Sequence, residues 1–379
     1  MSAPHSTLFV SVGCAALVLF LSSCSDNFSV QREGQQTNES SSPVSYSVLC
    51  IDHGDGDYLY HDASGSEHKA DEEALEGVTL AAVQNPHAEV FIFHQRPKYH
   101  FLFFFPLPDG EFVYYRNGRL IARESYWRNN ERSRFEPEAE LYRRFHTESQ
   151  RAIVKIFLYC GHEIPEFGGA GYDASSPDRV FTVHDLQTGL EGFIGSSTKF
   201  DLLVLSTCFG GTPYTVGALG PYAHYVIASP DNLHLSYFDF RVLNRLDSRL
   251  RADSVSAFAQ TFARKSFDRL ARNIQTSVSV AVYNADSVER FIGSVHSVYD
   301  RTLSTLKEET QAVALMTEHC DCADLPAYAM PTMSDGVDIL YRPARFGRAR
   351  GKQNHSGWEC WKVPELLPET SQIGVPGTH

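Results

Sequence analysis

A repeated alternation constrains this chain more than any other feature: short apolar, β-branched runs of strand length are separated by stretches with helical periodicity. The runs lie at 46–51, 88–93, 153–158, 201–205 and 224–228, each near the length of a strand buried on both faces. Between them Val183, Leu186, Leu190, Phe193 and Ile194 recur with helical spacing, and Leu75, Val78 and Ala82 do so more weakly. Strands alternating with helices predict an α/β fold around a mostly parallel sheet. With 379 residues, 42% of them hydrophobic, the chain can bury a sizeable core. Its 33 Lys and Arg stand against 46 Asp and Glu, a net charge of −13. That balance leaves no basic field to hold phosphate backbones, so nucleic acid is not expected as a partner.

Two regions depart from the alternation. The segment 101–123 carries Asn117-Gly118 between Phe112-Val113-Tyr114-Tyr115 and Leu120-Ile121. That pattern predicts a β-hairpin, because both turn residues tolerate positive φ. Past the last alternating strand, Asp253 is placed to cap a helix bearing Val255, Phe258, Ala259 and Phe262. A strand at 277–282 follows, then a second helix with Val288, Phe291, Ile292, Val295, Tyr299 and Leu303 on one face. The end of the chain, with Trp358, Trp361 and a basic run from Arg342 to Lys352, reads as irregular, and the basic run reads as a solvated loop.

The amino end reads as an export signal. Leu8 to Leu21 is an apolar run of about fourteen residues, shorter than the ~20 needed to span a membrane, and it ends in Leu21-Ser22-Ser23-Cys24. This resembles the bacterial lipoprotein signal, in which residues 1–23 are removed and Cys24 is lipidated. Ser25 is then no inner-membrane retention signal, so the expected location is the cell envelope: the outer membrane or cell surface if an outer membrane is present. Residues 24–45 are polar and lack apolar periodicity, as expected of a flexible tether. The other mature cysteines, Cys50, Cys160, Cys208, Cys320, Cys322 and Cys360, have no zinc-ligand spacing.

In an open parallel sheet, ligands sit beyond the carboxyl ends of the strands. Two expected strand ends carry reactive groups: 153–159 runs into Cys160-Gly161-His162-Glu163, and 201–205 runs into Ser206-Thr207-Cys208-Phe209-Gly210-Gly211. A thiol needs a base or a nearby positive charge to become a thiolate near neutral pH, and imidazole suits that task. Cys208 and His162 are therefore the candidate nucleophile and general acid/base. The backbone N–H groups of Cys208 and Glu163 are the candidate oxyanion donors. Cys160 is the competing thiol, but it shares a strand end with His162 and reads as packing. Asp52-His53-Gly54-Asp55-Gly56-Asp57 also attracts notice; it lacks the oxygen pattern of a calcium loop and is read as a solvated acidic turn.

A strand-end His followed roughly 50 residues later by a strand-end Cys is the caspase-type order. More closely, the chain resembles the clostripain-type cysteine peptidases. The resemblance rests on 153–162, the Phe167-Gly168-Gly169-Ala170-Gly171-Tyr172-Asp173 loop, 201–208 and 224–229; 277–303 is similar to the strand and helix that follow the family's core, and His355-Ser356-Gly357-Trp358 to its final strand. It implies a caspase-like α/β/α sandwich with a mostly parallel central sheet and a C-terminal helix/strand extension. The catalytic domain would span 46–250, with a C-terminal subdomain at 251–379. It further implies a cysteine endopeptidase acting on peptides or proteins through a thioester acyl-enzyme, with no cofactor, calcium dependence being left open as in some relatives. Substrate-binding candidates are Ser206, Ser229 and Asp231, with Asp239 nearby. The chain departs from the family pattern at Glu163, where Gly is usual, and at Ser206, where an acidic residue is usual. These departures carry the alternative, a catalytically inactive clostripain-like lipoprotein acting as a binding module.

Overall fold

The computed structural model of the chain describes residues 44–54, 59–62, 64–102, 104–146, 153–194, 198–234, 236–246, 254–305, 322, 336–353, 355 and 357–358. In chain order the elements are β1 (Tyr46–His53), β2 (Leu59–His61), β3 (Glu67–Lys69), α1 (Ala70–Gln84), β4 (Ala88–Gln95), β5 (His100–Phe101), β6 (Phe105–Pro106), β7 (Gly110–Arg116) and β8 (Arg119–Tyr126). Then come α2 (Glu136–Phe145), β9 (Val154–Cys160), α3 (Val183–Ile194), β10 (Phe200–Ser206), α4 (Pro213–Leu219), β11 (Ala223–Ala228), a 3-10 turn (Phe240–Arg245), α5 (Val255–Asn273), β12 (Val278–Asn284), α6 (Ala285–Thr305) and β13 (Val337–Arg342).

Among the described residues nine strands form one sheet, in the order β13-β12-β11-β10-β9-β1-β4-β7-β8. The middle of it, β11-β10-β9-β1-β4, is parallel throughout. Antiparallel pairs extend both edges, β7 and β8 beyond β4 and β12 and β13 beyond β11. The five parallel strands are the five runs read from sequence. They are apolar on both faces because both faces are covered. Val154, Ile156, Leu158 and Cys160 of β9 point into a core shared with α1 and α5. Phe157 and Tyr159 point into a second core shared with α2, α3, α4 and α6. The molecule is thus the α/β/α sandwich expected, and the residues past 250 supply two strands of the same sheet.

Several expectations are revised. The basic run is more than a solvated loop: Arg342 Nη2 donates to the carbonyls of Ile274 and Thr276, and Arg345 Nη2 to Ala271 O. The two guanidiniums thus serve carbonyls at the end of α5 and just beyond it, where the helix leaves acceptors unpaired. Among the described residues His355, Gly357 and Trp358 are not in a strand and the last strand is β13; Trp358 is buried between Tyr283 and Phe291. Its indole N–H donates to Tyr283 Oη at 3.1 Å, which needs a local bend rather than a ladder. Asp253, Cys24, Cys320, Cys360 and Trp361 lie outside the described residues, as does all of 1–43.

The β7–β8 hairpin turns on Asn117 (φ 54°) and Gly118 (φ 77°), as its sequence predicts. A Cβ on Gly118 would come 2.8 Å from Val83 O. Gly118→Ala is therefore expected to lower stability by about 1–3 kcal/mol, read as a reduced urea midpoint at unchanged slope.

Candidate active site

β9 and β10 are parallel neighbours, and Ser206 pairs with Cys160 at their carboxyl ends. His162 and Cys208 each lie two residues beyond that last pair, so the ladder delivers the imidazole and the thiol to the same edge of the sheet. Both side chains are half-buried. The turns that carry them are joined directly. Thr212 Oγ1, in the Cys208 turn, donates to Glu166 Oε1, in the His162 turn, at 2.5 Å. Just beyond, the Phe167 and Tyr214 rings pack at 5.0 Å.

The Cys208 turn is held on several sides. Phe209 takes a left-handed backbone (φ 51°), and its N–H donates to Asp231 O. Gly211 has no room for a side chain, since a Cβ would meet Tyr283 Oη at 2.7 Å and Pro230 N at 2.9 Å. Its own carbonyl accepts from Tyr283 Oη at 2.9 Å. The sulfur faces the loop after β11: the thiol donates to Asn232 Oδ1 at 3.3 Å, and Leu233 N–H donates to Sγ at 3.3 Å. A hydrogen bond donated to sulfur favours the thiolate, whereas one donated by the thiol favours the neutral form. Asn232 was not singled out from sequence; only the crossing of β10 to β11 brings it there.

The expected substrate-binding residues have structural partners. Ser206 is fully buried and its hydroxyl accepts from Phe238 N–H at 2.8 Å, so it fastens the 231–239 loop from beneath rather than lining an open surface. Ser229 is buried too, and Oγ donates to Asp231 O at 2.8 Å. Asp231 is partly exposed beside the sulfur loop, with Oδ1 accepting from Asn232 N–H and Oδ2 from Ser277 Oγ. Asp239 accepts from Arg241 N–H and caps the 3-10 turn. Glu163 is half-buried next to His162. Cys160 is fully buried, and burial, with the charge of Asp52 adding, pushes its thiol well above the ordinary cysteine value.

Asp52 and His53 correct the reading of a solvated acidic turn. Both are wholly buried at the end of β1, because β1 lies between β4 and β9 in the middle of the sheet. His53 packs against the His162 turn: a Cβ on Gly161 would lie 3.1 Å from His53 Cβ and from the Tyr159 ring. The His53 ring stacks on Tyr172 at 4.5 Å, and its Nδ1 lies 3.2 Å from Gln95 Oε1. Tyr172 Oη in turn bonds Tyr159 Oη. Next to Tyr172, Asp173 accepts from Arg179 Nη1 at 2.6 Å and Arg128 Nη1 at 3.2 Å. Against the cost of burial, His53, Ser175 and these guanidiniums hold its carboxyl below the usual range. Arg179 Nη2 also bonds Asp109 at 2.6 Å, so the glycine-rich loop is tied to the end of the β4–β7 insertion. Among the described residues no three His, Cys, Asp or Glu side chains converge as a metal-binding group.

Residues 161–334 match the model of the clostripain family of peptidases. Among solved structures, a secreted C11 cysteine protease from Bacteroides thetaiotaomicron bound to an irreversible peptide inhibitor aligns at 13% identity and TM-score 0.46, covering 69% of this chain and 71% of its own. Another structure of a secreted C11 protease of that organism, iotapain, aligns at 10% identity and TM-score 0.48, covering 72% of this chain and 75% of its own. An inactive zymogen C11 protease from Parabacteroides distasonis aligns at 12% identity and TM-score 0.44, with coverages of 78% and 75%. No match was found among curated protein sequences.

Burial raises the Asp52 carboxyl above its usual value, an effect that the 2.8 Å contact with His94 Nδ1 opposes. Folded protein therefore holds this proton more tightly than unfolded chain does. The resulting stabilisation is complete below the ordinary Asp value of about 3.9 and is lost as pH rises through the raised one. Asp52→Asn keeps an acceptor for His94 and removes the titration. Relative to wild type, the variant should gain stability between pH 4 and pH 7, as measured by urea midpoints across that range.

Proposed function

From a chain that is of the clostripain type over residues 161–334, we infer a cysteine endopeptidase that hydrolyses peptide bonds through Cys208 and His162. In this reading the Cys208 thiol gives up its bond to Asn232 and passes its proton to His162. The thiolate, with Leu233 N–H directed at it, attacks the scissile carbonyl carbon. The amide N–H groups of Cys208 and Glu163 face the developing oxyanion. Collapse of the tetrahedral adduct breaks the C–N bond, and His162 returns the proton to the leaving amine. The thioester is then hydrolysed by water, which His162 deprotonates as the acyl group is released. The observation that carries this reading is the β9–β10 register with the Thr212–Glu166 bond across the two turns.

Ser206 stands where the family usually has an acidic residue, and its hydroxyl is engaged by Phe238 N–H. Preference for cleavage after Arg or Lys therefore does not follow. Asp231 precedes Asn232, which accepts from the Cys208 thiol, and it is the candidate for contact with a substrate side chain. The envelope location read from Leu21-Ser22-Ser23-Cys24 belongs to the same proposal: a lipid on Cys24 holds the enzyme at a membrane through the 25–45 tether.

Two experiments test these statements. Cys208→Ala should remove all hydrolysis from a fluorogenic peptide library and the associated labelling by thiol reagents, while leaving the folded protein intact; retained turnover sinks the assignment. No turnover by wild type under reducing conditions, with or without calcium, would favour the inactive binding module. Separately, Cys24→Ser expressed in a bacterial host should move the protein from the membrane fraction to the soluble exported fraction after cleavage. A membrane fraction equal to wild type's would refute the lipid anchor.

A further inference from the structure

The insertion between β4 and β7 ends in a surface that neither core explains. Tyr99, Phe101, Leu102, Phe105 and Leu107 are between 45% and 63% exposed, and Phe104 is 82% exposed. Burying one such side chain is worth about 1.5–3 kcal/mol, yet here they gather at the tip of the small β5–β6 hairpin. Leu102 also takes a left-handed backbone (φ 49°), where Gly or Asn is the usual choice. The chain thus keeps a bulky apolar residue at a turn that disfavours it and at a position that cannot reach the core.

The base of this hairpin is as firmly held as its tip is exposed. Leu107 N–H donates to Tyr99 O at 3.0 Å, and Arg96 N–H to Asp109 O at 2.8 Å. Lys98 N–H donates to Ser175 Oγ at 2.9 Å, and Ser175 Oγ donates to Asp173. Asp109 and Asp173 are both bound by the buried Arg179. An apolar tip on a fixed base can enter another phase without first paying to be ordered. The charges around the base also have a sign. Asp109 and Asp173 are taken up by Arg179, which leaves Arg96, Lys98 and Arg123 beside Glu111, a carboxylate both arginines contact, on a chain whose net charge is −13.

We propose that the β5–β6 hairpin is a membrane wedge: Phe101, Leu102, Phe104 and Phe105 enter the acyl region of an anionic bilayer while Arg96, Lys98 and Arg123 face its headgroups. A bilayer is the occupant because the segment before β1 carries the lipobox cysteine Cys24, which rests on the anchored reading above. About twenty residues separate that cysteine from β1, and they span at most roughly 70 Å. β1 enters at the amino edge of the sheet, and the hairpin follows β4 at the carboxyl edge, so the two are separated by about 26 Å of strand. The tether is long enough to let both ends meet one membrane. Because the wedge and the Cys208 turn share the carboxyl edge, the wedge would hold the candidate active site close to the bilayer, where its substrates would be envelope-associated polypeptides.

Residues 42–379 form one compact unit that contains both cores, so this unit, with no leader or lipid, isolates the hairpin from the anchor. Its cosedimentation with phosphatidylcholine vesicles containing a quarter phosphatidylglycerol should fall at least about tenfold in the triple variant Phe101→Ser, Phe104→Ser, Phe105→Ser. Hydrolysis of soluble peptides and the unfolding midpoint should stay unchanged. In Phe104→Trp, the added fluorescence should shift to the blue on the same vesicles and be quenched by brominated acyl chains. Equal binding by wild type and triple variant, no binding by wild type, or an unquenched Trp would each overturn the wedge. Loss of a wild-type dimer in the triple variant, without vesicle binding by either, would assign the patch to a second copy of the chain and overturn it too. None of these results depends on whether Cys24 is lipidated, which the Cys24→Ser fractionation reads by itself.

Discussion

The parallel pairing of β9 with β10, with Ser206 opposite Cys160 at its end, is the constraint on which the proposed chemistry depends. Parallel strands release their chains on the same side of the sheet, so two turns distant in sequence leave side by side. A one-residue slip in that ladder would reverse which face each side chain meets. The register is protected by the alternation it serves. Ile156, Leu158, Leu202 and Val204 fill one core while Phe157, Tyr159, Leu203 and Leu205 fill the other. A shifted β9 would have to exchange aromatic for aliphatic side chains on both faces at once. Core packing thus fixes the positions of His162 and Cys208 before any interaction between them contributes.

Around that pair the protein uses polar residues as fasteners. Ser206, Ser229 and Thr212 look like surface hydroxyls in sequence, yet all three are buried and bonded within or between the site loops. Their bonds join the His162 turn, the Cys208 turn and the 231–239 loop into one rim. Burying such groups costs free energy unless each finds a partner, and each has one. The aromatic chain His53, Tyr172 and Tyr159 supports the rim from below. Arg179 extends the same support sideways to the insertion through Asp173 and Asp109. The site and the exposed hairpin consequently stand on one rigid base, although they lie on different loops.

Breaking this base at Arg179 would leave two buried carboxylates without their principal charge partner. Such uncompensated charge costs far more than the pair contributes when intact. The fold therefore tolerates variation at the tips of its loops more readily than at their roots. That asymmetry is compatible with the departures at Glu163 and Ser206: one sits in an accessible turn, and the other has been absorbed into the packing as a neutral hydroxyl.

What the residues alone determined was the set of elements: five apolar runs became five parallel strands, Asn117-Gly118 became a hairpin turn, and the helical face of α3 and the Val288, Phe291 and Val295 part of the α6 face lie where their periodicity put them. These are local consequences of side-chain period and turn stereochemistry. They also indicated which His and Cys end neighbouring strands. Only the tertiary structure decided what surrounds them. Asp52 and His53 read as a hydrated turn because nothing in their neighbours reveals that β1 takes the middle of the sheet, where both are stripped of water. Asn232 reached the sulfur, Arg342 and Arg345 reached carbonyls at the end of α5, and Trp358 entered the core by contacts between residues far apart in the chain. Such contacts depend on strand order and loop closure, which no short window of sequence contains.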